Sequence, residues 1–213
     1  MPQRNSEMPG IYNRHILPHF QHLVCGTRPF QKQRQLLLPR ATGRVLEIGI
    51  GSGHNIRFYD PARIEHFWGL DIAAENFPRA SREGERAGFK IEFVESPAES
   101  IPLAAGEVDT VVTTYTLCSV ADPKRVLEEL RRVLKPGGRV LFAEHGSAPD
   151  SEVRTWQDVV NPLWKRVAGG CNLNRDVPTL LTRHGFALTE MDREYLPGIR
   201  LLTSHMRGVA SPI

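Results

Sequence analysis

Apolar positions along this chain come in two rhythms. Short, nearly unbroken runs alternate with longer stretches in which apolar residues recur every three or four positions, the pattern of buried parallel strands interleaved with amphipathic helices. The first clear run, Arg44-Val-Leu-Glu-Ile48, breaks at Gly49-Ile-Gly-Ser-Gly53 and His54, and the second, His66-Phe-Trp-Gly-Leu-Asp71, ends on an acid. Beyond a helix-like stretch, Lys90 to Leu103 reads as a strand followed by a loop, and Glu107-Val-Asp-Thr-Val-Val-Thr-Thr-Tyr115 as a β-branched central strand. The next helix is legible in detail: Asp122 caps it, Pro123 suits its first turn, and Val126, Leu127, Leu130, Val133 and Leu134 form one apolar stripe. Lys135-Pro-Gly-Gly138 is expected to end that helix, and Arg139-Val-Leu-Phe-Ala-Glu-His145 to be the following strand.

A strand, a three-glycine turn and a second strand closed by an acid describe the nucleoside-binding first half of an open α/β sheet. Gly49, Gly51 and Gly53 read G-x-G-x-G, and His54 stands where a pyrophosphate-binding fingerprint places its third glycine, so the spacing argues against a dinucleotide. A phosphate-free nucleoside such as S-adenosylmethionine needs only close approach of the backbone. Glu47 is then available to its amino-acid end, and Asp71 stands where a carboxylate accepts hydrogen bonds from both ribose hydroxyls. The glycines alone are also compatible with a purely structural turn; their coupling to Glu47 and Asp71 is what makes the signal specific.

From Arg44 to His145 the order and spacing of these elements resemble the class I S-adenosylmethionine-dependent methyltransferases. The resemblance implies a Rossmann-like, seven-stranded, mostly parallel sheet with helices on both faces and an antiparallel last strand. It implies a cofactor site drawn from Tyr12, Glu47, Gly49, Gly51, Gly53, His54, Asn55, Asp71, Ile72, Ala98, Glu99, Thr114 and Leu117, and no metal. Many such enzymes place an aspartate against the adenine amino group where this chain has Pro97, which leaves that task to backbone near Ala98 or to Glu99. Leu117-Cys-Ser-Val120, Glu144-His145 and Gly170-Cys-Asn-Leu-Asn-Arg175 narrow the likeness to the alkyl-thiol S-methyltransferases. The mammalian members carry an N-terminal hydrophobic anchor that is not found here, so their membrane location is not expected to transfer. A looser likeness links the chain to phospholipid N-methyltransferases and quinone C-methyltransferases.

Composition fits one enzyme domain over residues 1–213: 40% hydrophobic and 24% charged residues suffice for a full core. Cys25, Cys118 and Cys171 form no short-spaced metal pair and their odd number argues against a disulfide framework, which points to a reduced, cytoplasmic setting. No apolar stretch reaches the roughly 18 residues of a membrane span, and the N-terminus lacks a signal-peptide core. The net charge of +3 is spread along the chain, with no basic run longer than two residues, so a nucleic-acid partner is not expected and a small-molecule acceptor is.

Two flanking regions remain for acceptor specificity. Residues 1–40, with Ile11-Tyr-Asn-Arg-His15 and a helix candidate near Arg28 to Leu38, read as a helical lid or as a helix packed at the sheet edge. Residues 146–185 read as an insertion that caps the acceptor site, in which Trp156 and Trp164 are expected to be helix core. His145, at a strand end, is the favoured polar contact to the nucleophile or else a structural histidine hydrogen-bonded to the insertion, with Asn172 the second catalytic candidate through the family likeness, and His54 supports the cofactor loop. A thiol, already a few per cent ionised near neutrality, asks least of such a site, and S-methylation of a thiol is the expected reaction. The alternatives are N-methylation of a phospholipid amine, O- or C-methylation of a phenolic or quinone-like ring, and a regulatory module that only binds the cofactor.

Overall fold

The computed structural model describes residues 26–213, so Tyr12 and the first part of the expected lid lie outside the described residues. The elements are α1 (Arg28–Leu37), β1 (Gly43–Ile48), β2 (Ile64–Asp71), α2 (Phe77–Ala87), β3 (Glu92–Glu95), β4 (Val108–Thr114), α3 (Pro123–Val133), β5 (Leu134–His145), α4 (Ser151–Val167), α5 (Val177–Arg183), β6 (Phe186–Tyr195), a single turn α6 (Arg200–Thr203) and β7 (Ser204–Pro212). One seven-stranded sheet has the order β3-β2-β1-β4-β5-β7-β6. β1 to β5 pair parallel, and β7 runs antiparallel to both β5 and β6, as expected for the last strand.

The central strands are apolar on both faces because helices cover both. On one side Leu46 and Ile48 of β1, Val111 of β4 and Phe142 of β5 pack with Val126, Leu127 and Leu130 of α3. On the other, their neighbours Val45, Val112 and Leu141 pack with Leu37 of α1 and Ala80 of α2. This period-two division is what a strand dictates once both faces are buried. The stripe expected on α3 is the buried one, and Asp122 caps the helix by accepting from the Arg125 amide at 3.1 Å.

Two expectations need correction. Lys135-Pro-Gly-Gly138 does not separate helix from strand. β5 begins directly at Leu134, which pairs with Val108, and the Pro-Gly-Gly residues form an irregularity before Arg139 pairs with Thr110. Trp156 is not helix core: it is 64% exposed and makes an outward stripe with Val159 and Leu163, at positions i, i+3 and i+7. Eight residues on, Trp164 is turned by about 80° relative to Trp156 and lies on the half-buried side, beside the fully buried Gln157. No helix among the described residues is long and apolar enough to cross a membrane.

The strand order reverses between β1 and β4. In an open α/β sheet the crevice outside the carboxyl ends of the strands at such a reversal is where a ligand is held.

Candidate active site

The turn after β1 is built for close approach. Gly49, Gly51 and Gly53 all have positive φ, at +72°, +50° and +81°. A Cβ on Gly49 would lie 2.2 Å from Thr116 Oγ1 and one on Gly53 2.9 Å from Ala80 Cα, so those glycines are required by protein packing. Gly51 differs: a Cβ there would meet nothing within 4 Å, so it opens the turn onto free space. The Gly51 amide donates to Asp71 Oδ2 at 2.7 Å and the Ala73 amide to Oδ1 at 2.9 Å, which clasps the glycine turn to the end of β2. Ile72 projects from the same rim, 72% exposed.

Beneath the turn lies a buried polar network. Glu47 accepts from Tyr59 Oη at 2.6 Å and from Asn55 Nδ2 at 3.0 Å; Asn55 Oδ1 accepts from Arg34 Nε of α1 at 2.7 Å, and Asn55 Nδ2 also reaches Thr114 Oγ1 at 3.0 Å. Burial pushes the Glu47 carboxyl up to about 8, opposed by the Tyr59 and Asn55 hydrogen bonds and the Arg34 charge. Glu47 is thus not laid open to a ligand, and both its oxygens are engaged within the protein. Ala98 is buried in the core near Leu70 and Leu117. Glu99 is committed to the start of α3, where Oε1 accepts from the Asp122 amide at 3.2 Å. His54 lines a groove of about 350 Å³ with Ser52, Arg57 and Arg79.

The ends of β4 and β5 form the other wall. Tyr115, directly after β4, holds a φ of +57°, a conformation an L-residue keeps only under external constraint. Its ring meets Phe30 of α1 at 4.8 Å and His205 of β7 at 5.5 Å, and the Arg34 guanidinium lies 5.3 Å over it. α1 packs near β5 and β7, and its Phe30 and Arg34 meet the Tyr115 ring. The side chain of Leu117 packs in the core while its backbone is held on both sides: Glu144 accepts its amide at 3.1 Å and Arg175 donates to its carbonyl at 2.6 Å.

Glu144 and His145 end β5. Glu144 is fully buried, and its oxygens accept from the Thr113 hydroxyl at 2.7 Å and from the amides of Thr116, Leu117 and Cys118 at 3.1–3.2 Å, so it shapes the turn after β4. Burial raises its pKa against those donors. His145, 7% exposed, places Nδ1 3.4 Å from Cys171 Sγ, while its Nε2 is buried with no hydrogen-bond partner among the described residues. His205 sits opposite it in the β5–β7 register, with ring centroids 5.5 Å apart. His205 Nδ1 donates to the Thr203 carbonyl at 2.9 Å, and burial pulls its pKa down to about 4, so it is neutral near pH 7. Asn172 Nδ2 donates to the carbonyls of Cys118 at 2.9 Å and Gly170 at 3.0 Å, which makes it a staple between two turns.

Phe30, Arg34, Tyr59 and His205 carry no local sequence signal, since their roles arise from elements far apart in the chain. Tyr115 had one legible cue, its place at the carboxyl end of a central strand.

Residues 46–142 match the family described as a methyltransferase domain. Human thiol S-methyltransferase TMT1B is 38% identical over 175 residues, covering 78% of this chain and 72% of that protein. Human thiol S-methyltransferase TMT1A is 33% identical over 204 residues, covering 94% and 81%. Among solved structures, the YcgJ protein of Bacillus subtilis superposes with a TM-score of 0.66 at 17% identity, over 85% of this chain and 96% of that one. The chain belongs to the class I S-adenosylmethionine-dependent methyltransferases and is similar to the thiol S-methyltransferases among them. The site fits that cofactor: the open side of Gly51 leaves a cradle that a side chain would fill, and Asp71 offers a carboxylate at its rim.

Proposed function

We propose that this enzyme transfers the methyl group of S-adenosylmethionine to the sulfur of a small thiol. When bound, the cofactor supplies an electrophilic methyl group on a sulfonium. Asp71 would hold the ribose hydroxyls, Gly49 to Gly53 would line the nucleoside, Ile72 would cover the adenine at the open rim, and Ala98 would supply backbone to its edge. Asn55, buried and held by Glu47, Arg34 and Thr114, would brace the turn around the amino-acid end rather than touch it. In-line displacement demands position and dryness more than acid–base power, and the aromatic wall of Phe30, Tyr115 and His205 supplies both.

The observation that carries the thiol reading is the Nε2 of His145, buried and without a hydrogen-bond partner among the described residues. A lone imidazole nitrogen suffices for a thiol of ordinary pKa about 8.5. A cationic amine would need a carboxylate or a free aromatic face. Glu144 has its oxygens turned to Thr113 and the 116–118 amides, and the Tyr115 ring already carries Arg34. The names of the two human relatives support the same acceptor.

The test is a panel of alkyl thiols, primary and tertiary amines and phenols, followed by formation of S-adenosylhomocysteine. Turnover with thiols, at a rate lowered by His145→Ala while cofactor affinity is unchanged, supports the proposal. Turnover confined to amines or phenols overturns the thiol acceptor and leaves the enzyme class standing. Loss of cofactor binding in His145→Ala would make that histidine structural.

A further inference from the structure

The segment after β5 brings a cysteine against His145. α4 ends in a turn at Gly169 and Gly170, both with positive φ, and Cys171 follows. Its sulfur lies 3.4 Å from His145 Nδ1. The Cys118 thiol and the Trp164 indole are its other neighbours. Little in this arrangement is free to move. Asn172 donates to the Cys118 carbonyl from both its amide and its side chain, at 2.9 Å each, and Arg175 donates to the carbonyls of Leu117 and Val120 at 2.6 and 2.9 Å. The Cys118 amide is itself held by Glu144. Gly146 lets the two segments touch, because a Cβ there would fall 2.1 Å from the Arg175 carbonyl oxygen.

An imidazole with one nitrogen on a fixed acceptor and the other buried and unpartnered is the arrangement of a base oriented by a third group. We propose that Cys171 is the positioning residue of this site: its sulfur accepts the Nδ1 hydrogen of His145 and so presents the Nε2 lone pair to the thiol proton of the acceptor. This rests on the thiol reading above. The acceptor S–H bond breaks, its proton passes to His145 Nε2, and its electron pair remains on sulfur and forms the bond to the methyl carbon. The pair of the broken methyl–sulfonium bond stays with the departing thioether. The imidazolium keeps Nδ1–H on Cys171 and later returns the second proton to solvent.

An anionic sulfur would do this best, as a carboxylate does in a hydrolytic triad. The neighbouring Cys118 thiol first, and His145 after it, hold the Cys171 thiol well below the usual range against the opposing effect of burial, while Cys118 is pushed up. Among the described residues, the elements around the imidazole bring few other charged or titratable groups. From β7 comes neutral His205, from the end of β4 Tyr115 with Arg34 over its ring, from the insertion Arg175, and from β5 itself Glu144, which is turned to the 116–118 amides.

Two readouts test this. Ultraviolet thiolate absorbance of the whole enzyme, titrated without acceptor, should show one thiolate at neutral pH. Cys171→Ser should abolish that signal, and His145→Asn should move its titration upward. The pH profile of kcat/KM with an alkyl thiol is the second readout. Since a general base contributes roughly 10²–10⁴-fold, Cys171→Ala should lower kcat about ten- to a hundredfold at unchanged cofactor KM. Its acidic limb should shift to lower pH, because the imidazolium has lost an anionic partner, and Cys171→Ser should lie between wild type and Ala. An ordinary thiol titration at Cys171, or a fall in kcat with an unmoved acidic limb, overturns the proposal. Should no thiol be methylated, the acceptor assignment fails, yet the absorbance titrations still decide whether Cys171 and His145 are coupled.

Discussion

Asp71→Ala removes the carboxylate that joins the end of β2 to the glycine turn. Two backbone donors lose a charged acceptor, Gly51 at 2.7 Å and Ala73 at 2.9 Å. Hydrogen bonds to a charged group contribute about 1.5–3 kcal/mol when water cannot substitute. Asp71 is only half-buried, and solvent can replace part of both, so the loss of folding stability should be about 1–2 kcal/mol. Cofactor binding should suffer more, because the ribose hydroxyls lose the same acceptor and the turn loses its clasp. A loss of about 1.5–3 kcal/mol corresponds to roughly ten- to a hundredfold weaker affinity. Asp71→Asn should behave almost as badly, since its amide nitrogen must face the N–H of either Gly51 or Ala73. Calorimetric titration of both variants with S-adenosylmethionine and S-adenosylhomocysteine measures this directly. An Asn variant that binds like wild type would refute the argument that both oxygens are needed as acceptors.

Gly51→Val should abolish cofactor binding in the same titration while costing about 1–2 kcal/mol of stability, because the side chain fills the open cradle and a β-branched residue is strained at φ +50°. Glu144→Gln leaves a donor facing one of the amides of the 116–118 turn and should cost about 1–3 kcal/mol in urea unfolding, with kcat reduced; an unchanged midpoint would mean that the turn holds itself. For Glu47, burial raises the folded-state value from 4.5 to about 8, so its stabilising contribution is full below about pH 4.5 and is lost as pH rises toward 8. Wild type should lose stability across that window by about 1 kcal/mol per pH unit, and Glu47→Gln, which cannot ionise, should flatten the slope; parallel profiles would remove Glu47 as the source.

The first half of the sheet was legible because each element announces itself locally. Val45, Leu46 and Ile48 lead into glycines that only a tight turn requires, and Asp122 and Pro123 punctuate α3. Boundaries were less readable where tertiary pairing overrides turn chemistry, as at Lys135–Gly138, absorbed into β5 by pairing with β4. Trp156 misled for a related reason: its hydrophobicity fits a core, but the face of α4 that is buried is set by Gln157, which holds the Ala148 amide at 2.8 Å. Glu47, Asn55 and Asp71, which the proposal assigns to the cofactor side, lie within 25 residues of sequence, so a local pattern could suggest their grouping. Phe30, Tyr115, His145, Cys171 and His205, which the proposal assigns to the acceptor side, come together from across the described chain, and no local pattern encodes such a meeting.

The most direct test of the account is to incubate the enzyme with an alkyl thiol and S-adenosylmethionine carrying an isotopically labelled methyl group, and to identify the product by mass spectrometry. The account predicts the labelled methyl thioether and an equal amount of S-adenosylhomocysteine, with both yields collapsing in Asp71→Ala and Gly51→Val. A stoichiometric transfer of label to nitrogen, oxygen or carbon of another acceptor, with no thioether from any thiol, would contradict it.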